Sequence, residues 1–304
     1  MLIVASRHDG AVATLWSGGD GGSGGAAVPQ TEASGASIHW EEQGGGEPLL
    51  LVMGFGLSSD AWLPMLPMLG GFRVIRFDNR GTGGSGPCGD GFTVETMAGD
   101  AAAVLDAAGV ERAHVHGISM GGMIALSLAL DHPDRVGSLL LGCTTAAPLR
   151  IANGGQAVEL AQATVRMSSD PDGALDRLLP LLFSDAFLAE NPSVRELGPV
   201  LSASGSRPDT VMATMRAMAD LGTGRAFDVS GRLGEIGVPT LVQHGDADRL
   251  IPVEEGRLLA AGVPGAEYQE LEGTGHAYGM ERPVEAFSRL LGFLAAHPLG
   301  GSRR

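Results

Sequence analysis

Gly117-Ile118-Ser119-Met120-Gly121 places a serine between two glycines, directly after the run 113–116 and directly before the apolar run 123–130. Read as a buried strand followed by a helix, these runs put Ser119 on the sharp turn between them. Such a turn forces its central residue into a strained backbone conformation. Positions 117 and 121 must then be tiny, or they collide with the neighbouring strand and helix. The serine oxygen is pushed out of the sheet, with the first amides of a helix pointing towards it, as an acyl-transfer nucleophile requires. In a chain with 48 glycines, the strand and helix context carries this reading more than the pentapeptide does.

Outward from the serine, apolar periods of two and of three to four alternate. Upstream, residues 38–42, 49–53 and 72–77 read as strands, 60–69 as a short helix broken by Pro64 and Pro67, and 93–108 as an amphipathic helix ending at Gly109. Downstream, 136–143 reads as a strand. Residues 146–229 read as helical, without a strand. Alternation resumes with 240–245, 253–261, 266–271 and 284–296. Repeated β and α elements imply a mostly parallel sheet with helices on both faces. The expected organisation is a Gly/Ser-rich leader over 1–36, a core over 37–145 and 230–304, and a helical insertion over 146–229. The insertion would sit over the sheet's C-terminal edge, where such sheets bind ligands.

Composition narrows the partners. The chain has 304 residues and a formal net charge of −15, from 20 basic against 35 acidic side chains. An acidic surface repels phosphate backbones and anionic lipid headgroups, so neither nucleic acid nor a membrane is an expected partner. All 20 basic residues are arginine, which excludes a lysine nucleophile or a phosphate-loop lysine. Cys88 and Cys143 lack metal-type spacing and read as free thiols of a reducing compartment. No run approaches the ~18 apolar residues of a membrane span. The expectation is a soluble, cytoplasmic protein, with a homodimer left open.

A serine hydroxyl needs a base, and the base needs an orienting carboxylate. Of eight histidines, His276 follows Gly273-Thr274-Gly275 in the loop between the last strand and the last helix. His114 and His116 share one strand face, but no third ligand has metal-type spacing, and no metal site is expected. His244 ends a strand and reads as a neighbour of the acid. For that acid, Asp246 and Asp248 both follow a buried strand, and the position before the descent to Pro252 favours Asp248.

With these residues in hand, the chain resembles an α/β-hydrolase of the capped, esterase- and lactonase-like branch over about residues 37–297. The order Ser119, Asp248, His276 is that family's order. Met53-Gly54-Phe55-Gly56 takes the place of its His-Gly loop, and Asp78-Asn79-Arg80-Gly81-Thr82-Gly83 that of its Asp-x-Arg-Gly-x-Gly loop. Ser119-Met120-Gly121-Gly122 continues into Asp131-His132-Pro133-Asp134-Arg135-Val136 in the family manner. The family's alternative position for the acid, after the next strand, reads Cys143-Thr144-Thr145 and offers no carboxylate. The resemblance implies an α/β-hydrolase fold with a helical cap, and an oxyanion hole formed by the backbone N–H groups of Phe55 and Met120. It implies no metal or organic cofactor. Met53 departs from the histidine that many relatives carry, a residue that supports the loop without donating the amide.

Other features have plainer readings. Gly81-Thr82-Gly83-Gly84-Ser85-Gly86 fits a dinucleotide fingerprint, but Pro87 follows where a helix would have to start. Asp78 and Arg80 read as a buried ion pair holding a loop. Trp62, Met212 and Met215 are candidate substrate-lining residues, with Met218 and Leu221 continuing the methionine spacing. Leu178, Leu179, Leu181, Leu182 and Phe183 form a second apolar patch. The expected activity is hydrolysis of a carboxylic ester or lactone of a small-to-medium hydrophobic substrate through an acyl-enzyme on Ser119. Alternatives on the same residues are C–C bond hydrolysis, thioester cleavage and a perhydrolase reaction. A ligand-binding or natural-product cyclisation role remains on the same fold.

Overall fold

Each change of apolar period along the chain becomes a change of element. A computed structural model describes residues 29–89, 91–151, 155–203, 208–219 and 226–300. β1 (Gln30–Ala33) and β2 (Ala36–Gly44) form a hairpin, followed by β3 (Glu47–Val52), β4 (Phe72–Phe77), α1 (Val94–Ala107) and β5 (Ala113–Ile118). Then come α2 (Met120–Asp131) and β6 (Val136–Gly142). The inserted block holds α3 (Gln156–Arg166), α4 (Pro171–Leu182), α5 (Asp185–Glu190), α6 (Gly198–Ala203) and α7 (Pro208–Ala219). β7 (Thr240–Gly245), α8 (Val253–Gly262), β8 (Glu267–Leu271), α9 (Tyr278–Glu281) and α10 (Pro283–Ala296) close the chain.

The strands form one eight-stranded sheet in the order β1-β2-β4-β3-β5-β6-β7-β8. β2 is antiparallel to β1 and β4, and β3 to β8 run parallel. Side chains along β3 alternate between faces: Leu50 and Val52 join the core under α1 and α2, while Leu49 and Leu51 join the core under α10. A strand buried on both faces reads as continuously apolar, as 49–53 does. Parallel strands also bring the loops after β3, β5, β7 and β8 to one edge of the sheet. Those loops contain Phe55, Ser119, Asp248 and His276.

Two expectations are adjusted. The leader assigned to 1–36 overlaps regular structure, because Gln30–Ala33 pairs with β2. Ser34 and Gly35 both have positive φ (46° and 78°), which closes a two-residue hairpin whose twist matches the strands. Residues 1–28, including the segment 1–15, lie outside the described residues. The expected broken helix at 60–69 is a 3-10 run, Ser59–Leu69, in which Pro64 and Pro67 remove α-helical hydrogen bonds. Among the described residues, no strand interrupts the inserted block, and no helix is long and apolar enough to cross a membrane.

Beneath the sheet, His116 packs edge-on against the Trp62 ring at 5.1 Å. Neither of its ring nitrogens has a hydrogen-bond partner among the described residues. Burial pushes its pKa down from 6.5 to about 3. A histidine held neutral in the folded state gives stability that is complete above pH 6.5 and is lost as pH falls towards 3. His116→Phe is therefore expected to flatten urea-midpoint loss across that window. The removed slope is at most about 1.4 kcal/mol per pH unit. Identical acid limbs in variant and parent would contradict a neutral buried imidazole.

Candidate active site

Ser119 sits at φ 58°, ψ −123°, between the end of β5 and the first residue of α2. Few residues hold this conformation, which costs roughly 1–3 kcal/mol unless packing imposes it. Packing does. A Cβ on Gly117 would lie 2.2 Å from the Gly121 oxygen, and a Cβ on Gly121 would lie 2.1 Å from the Val52 oxygen. Gly122 is equally confined by the Thr144 side chain. Ser119 N–H donates to Gly142 O (2.9 Å) and Thr144 Oγ1 to Ser119 O (2.6 Å), which tie the turn to β6 and the loop after it. Gly54 lies against the Ser119 side chain, its Cβ position being 3.2 Å from Ser119 Cβ. The loop carrying Phe55 is thereby set beside the hydroxyl. Met120 is the first residue of α2, so its N–H has no acceptor within the helix.

Asp248 and His276 meet on the far side of the same cleft. His276 Nδ1 and Asp248 Oδ2 are 2.7 Å apart, with both residues buried. Asp248 Oδ1 accepts the N–H groups of Leu250 and Ile251 at 2.8 and 2.9 Å. His244 lies 3.4 Å from Asp248 Oδ2 and bonds Ile251 O at 2.9 Å. Burial alone would raise the Asp248 pKa, but the His276 and His244 imidazoles and their hydrogen bonds outweigh it and hold the carboxyl far below the usual range. A carboxylate opposite Nδ1 leaves Nε2 as the ring's free basic atom. Asp246 instead accepts from Gly273 N–H (2.6 Å), bracing the acid loop against the histidine loop.

The alternative acid position also reaches this pair. Cys143 has φ 41°, and its sulfur, an Asp248 oxygen and a His276 nitrogen lie within 4.8 Å of one another. Burial first, and the Asp248 charge second, push the thiol pKa well up, so it stays protonated. These three are the grouping of potential metal ligands found among the described residues, and the imidazole and carboxylate are already joined to each other. His114 is engaged elsewhere, with Ser138 (2.7 Å) and Glu47 (3.4 Å).

A cavity of about 120 Å³ opens over Ser119. Its floor is Met53, Gly54, Phe55, Ile118, Ser119 and His276. Leu57, Ala61, Pro64 and Met65 form one side, and Ala277, Tyr278, Gly279 and Met280 another. Leu160, Leu182, Phe183, Leu197 and Leu201 close it from the inserted helices, with Leu250. Among the described residues, Ser119, His276 and Tyr278 supply the polar side chains, and no lining residue is acidic or arginine.

Three lining candidates fall elsewhere. Trp62 is fully buried in the core under the sheet, because its 3-10 run turns Ala61, Pro64 and Met65 to the cavity instead. Met215 is buried in the main core and Met212 is 43% exposed, because the apolar face of α7 covers that core. Met218 joins the same core, and Leu221 lies outside the described residues. From the second apolar patch, Leu182 and Phe183 do reach the cavity, while Leu178 and Leu179 pack within the insertion.

Arg80 pairs with Asp100 of α1 (2.6 and 2.7 Å, both buried), not with Asp78. Asp78 accepts the Ser59 and Gly84 amides at 2.7 and 2.8 Å. The Gly81–Gly86 segment closes on itself through Gly81 N–H to Gly86 O (2.8 Å), and the next helix starts only at Val94. No helix N-terminus is available there for a phosphate.

The model of the family described as alpha/beta hydrolase fold matches residues 47–283. The chain belongs to the α/β-hydrolases. This α/β-hydrolase is 34% identical over 275 residues to the Azorhizobium caulinodans protein named "Putative carbamate hydrolase RutD", covering 88% of this chain and 98% of that one. It is 32% identical over 272 residues (86% and 91%) to the 2-hydroxy-6-oxononadienedioate/2-hydroxy-6-oxononatrienedioate hydrolase of Paraburkholderia xenovorans. Among solved structures it is similar to Est816, described as an N-acyl homoserine lactone degrading enzyme. That match has a TM-score of 0.69 and 31% identity, over 87% of this chain and 100% of that chain. Hydrolase chemistry follows from the family.

Gly121→Ala tests the close approach. The added methyl meets backbone, not a movable side chain, so the expected loss is roughly 3 kcal/mol in urea unfolding. An unfolding midpoint equal to the parent's would contradict the contact.

Proposed function

We propose that the protein cleaves a carboxylic ester or lactone of a neutral, largely hydrophobic substrate through an acyl-enzyme on Ser119. The observation that carries the proposal is a single apolar cavity lined by both the strained serine and the imidazole that Asp248 holds. Ser119 Oγ attacks the carbonyl while His276 Nε2 takes its proton. Asp248 keeps Nδ1 protonated and stabilises the imidazolium that forms. The amides of Phe55 and Met120 receive the developing oxyanion, each contributing roughly 3 kcal/mol to lowering the barrier. His276 returns the proton to the leaving alkoxide. It then activates the water that cleaves the acyl-enzyme and frees the acid. In a lactone, the leaving alkoxide is the other end of the same molecule.

The cavity wall selects among reactions. A dienedioate carries two carboxylates, and among the described residues no arginine lines the cavity to receive them. Burying an unpaired carboxylate is costly, which disfavours that C–C substrate. Aliphatic walls favour acyl chains without charge, the class in which the chain's relative degrades N-acyl lactones. The thioesterase and perhydrolase alternatives use the same floor and gain no separate support from the wall.

Two measurements check the reading. A fluorophosphonate probe is expected to label Ser119 in the native protein, with labelling lost in Ser119→Ala; an unlabelled native protein sinks the mechanism. On a panel of p-nitrophenyl esters and lactones of increasing chain length, kcat/KM is expected to rise with apolar length until the cavity is filled. Faster turnover of a vinylogous diketone than of any ester or lactone would overturn the substrate class.

Asp248→Asn removes the acceptor that sets the imidazole tautomer. The expected fall in kcat is roughly ten-thousand-fold, with KM little changed. Because its pKa is lowered, Asp248 stays ionised far into acid. The acid limb of the parent's pH–rate profile is then expected to belong to another group.

A further inference from the structure

The turn joining α4 to α5 touches both loops that carry the imidazole and the carboxylate. Glu281, the last residue of α9, accepts on Oε1 from Gly275 N–H (2.8 Å) and from Ser184 N–H (2.9 Å). Its Oε2 accepts from the Ser184 hydroxyl at 2.6 Å. Ala277 N–H donates to Leu182 O at 2.7 Å. The residues on either side of His276 are thus each fastened to the turn. A Cβ on Gly275 would lie 2.9 Å from Phe183 C and from Ser184 N, so the two backbones meet with no side chain between them. The Ser184 hydroxyl also accepts from Phe187 N–H (3.2 Å), capping α5. On the acid side, Arg249 donates to Asp185 (2.5 Å).

These ties differ in weight. The Arg249–Asp185 pair is largely exposed, and exposed pairs contribute little. Glu281 gathers three donors on one carboxylate, and hydrogen bonds to a charged acceptor are shorter and about twice as strong as neutral ones. The same turn presents Leu182 and Phe183 to the cavity.

We infer that Glu281 is a positioning residue, locking the His276 loop to the 182–184 turn of the inserted helices. The inference deepens the ester and lactone reading and rests on it. The placement of the general base and of the apolar wall is then set by one clasp. A substrate whose chain displaces Leu182 or Phe183 also displaces the imidazole. Acyl shape is therefore discriminated in kcat as well as in KM.

The test compares full-length Glu281→Ala, Glu281→Gln and Ser184→Ala with the parent. It reads kcat and KM on an acetyl and a longer p-nitrophenyl ester, and the low-field proton resonance of His276 Nδ1–H. Glu281→Ala is expected to lower kcat on the order of 100-fold, with KM for the acetyl ester nearly unchanged and the resonance shifted or lost. Glu281→Gln keeps an oxygen for both amides and is expected to recover most of the rate. A folded alanine variant with parental kcat and resonance overturns the inference, as does a glutamine variant as slow as alanine. If Glu281→Ala does not fold, Ser184→Ala decides. A loss of roughly 10-fold in kcat with a moved resonance is expected, and parental values for both sink it. The resonance needs no substrate. A parent inert to every ester and lactone but with a normal resonance would therefore fail the proposed function without failing the clasp.

Discussion

The carbonyl oxygens of Gly121 and Val52 occupy the space that Cβ atoms at positions 117 and 121 would need. That close approach of α2 to β5 and β3 is the constraint from which the rest of the site follows. All ten residues from Met120 to Ala129 are buried, so the helix is held down by its whole circumference, and a strain of roughly 1–3 kcal/mol at Ser119 is easily sustained. With the helix pinned, the serine side chain has one direction left, up into the cleft beside Gly54. The Met120 N–H, which has no acceptor within the helix, belongs to the residue directly after that serine. The serine and the amide after it are set by one packing contact, not by two separate interactions.

A buried carboxylate at Asp248 follows a different logic. Its burial opposes ionisation, yet the His276 imidazole at 2.7 Å and the His244 imidazole at 3.4 Å, with their hydrogen bonds, reverse the balance. Two backbone amides bond its other oxygen. The carboxylate is satisfied on both oxygens, so it has no reason to rotate away from His276. Cys143, standing where the alternative acid would be, adds a protonated thiol to this cluster instead of a second negative charge. Two carboxylates at this spacing would compete for one imidazole and raise each other's pKa. The replacement keeps the charge at one position and the tautomer at one choice.

How much of this could be read from the chain depends on how local the cause is. The turn at Ser119 was legible because its glycines, strand and helix lie within 20 consecutive residues. β4 and β7 coincide with the expected 72–77 and 240–245 because continuous apolar runs of strand length have one reading in a parallel sheet. His276 was legible by elimination among the histidines, and Asp248 only as the one favoured over Asp246 by its place before Pro252. The cavity walls were not legible. Methionines spaced by three on α7 mark an apolar face, but periodicity does not say whether that face meets a ligand or a core. Trp62 failed for the same reason: inside a 3-10 run, a rotation of one residue exchanges wall for core. The Arg80 partner was missed because Asp100 lies nearly two turns into α1, while Asp78, two residues away, offered a nearer match. Glu281 gave a faint signal: an acid five residues beyond His276 has no neighbouring base except Arg282, which immediately precedes Pro283.

Floor and closing wall come from different parts of the chain, and this division shapes what the fold can vary. The floor is assembled from loops at one sheet edge, with backbone contacts at Gly117, Gly121 and Gly275 that leave no room for an added atom. The part of the wall that closes the cavity comes from α3, α4, α6 and the α4–α5 turn, whose own core is a separate cluster around Leu175, Leu178 and Phe183. Substitutions in that cluster reshape the cavity without touching the serine turn, which is how one reaction centre serves many substrates. The freedom ends where the wall touches the floor. At Phe183 and Ser184 the insertion meets Gly275 backbone to backbone, and at Ser184 it shares Glu281 with the histidine loop. Wall changes near that point alter the placement of the His276 loop together with the shape of the cavity, whereas changes at Leu197 or Leu201 alter cavity shape alone.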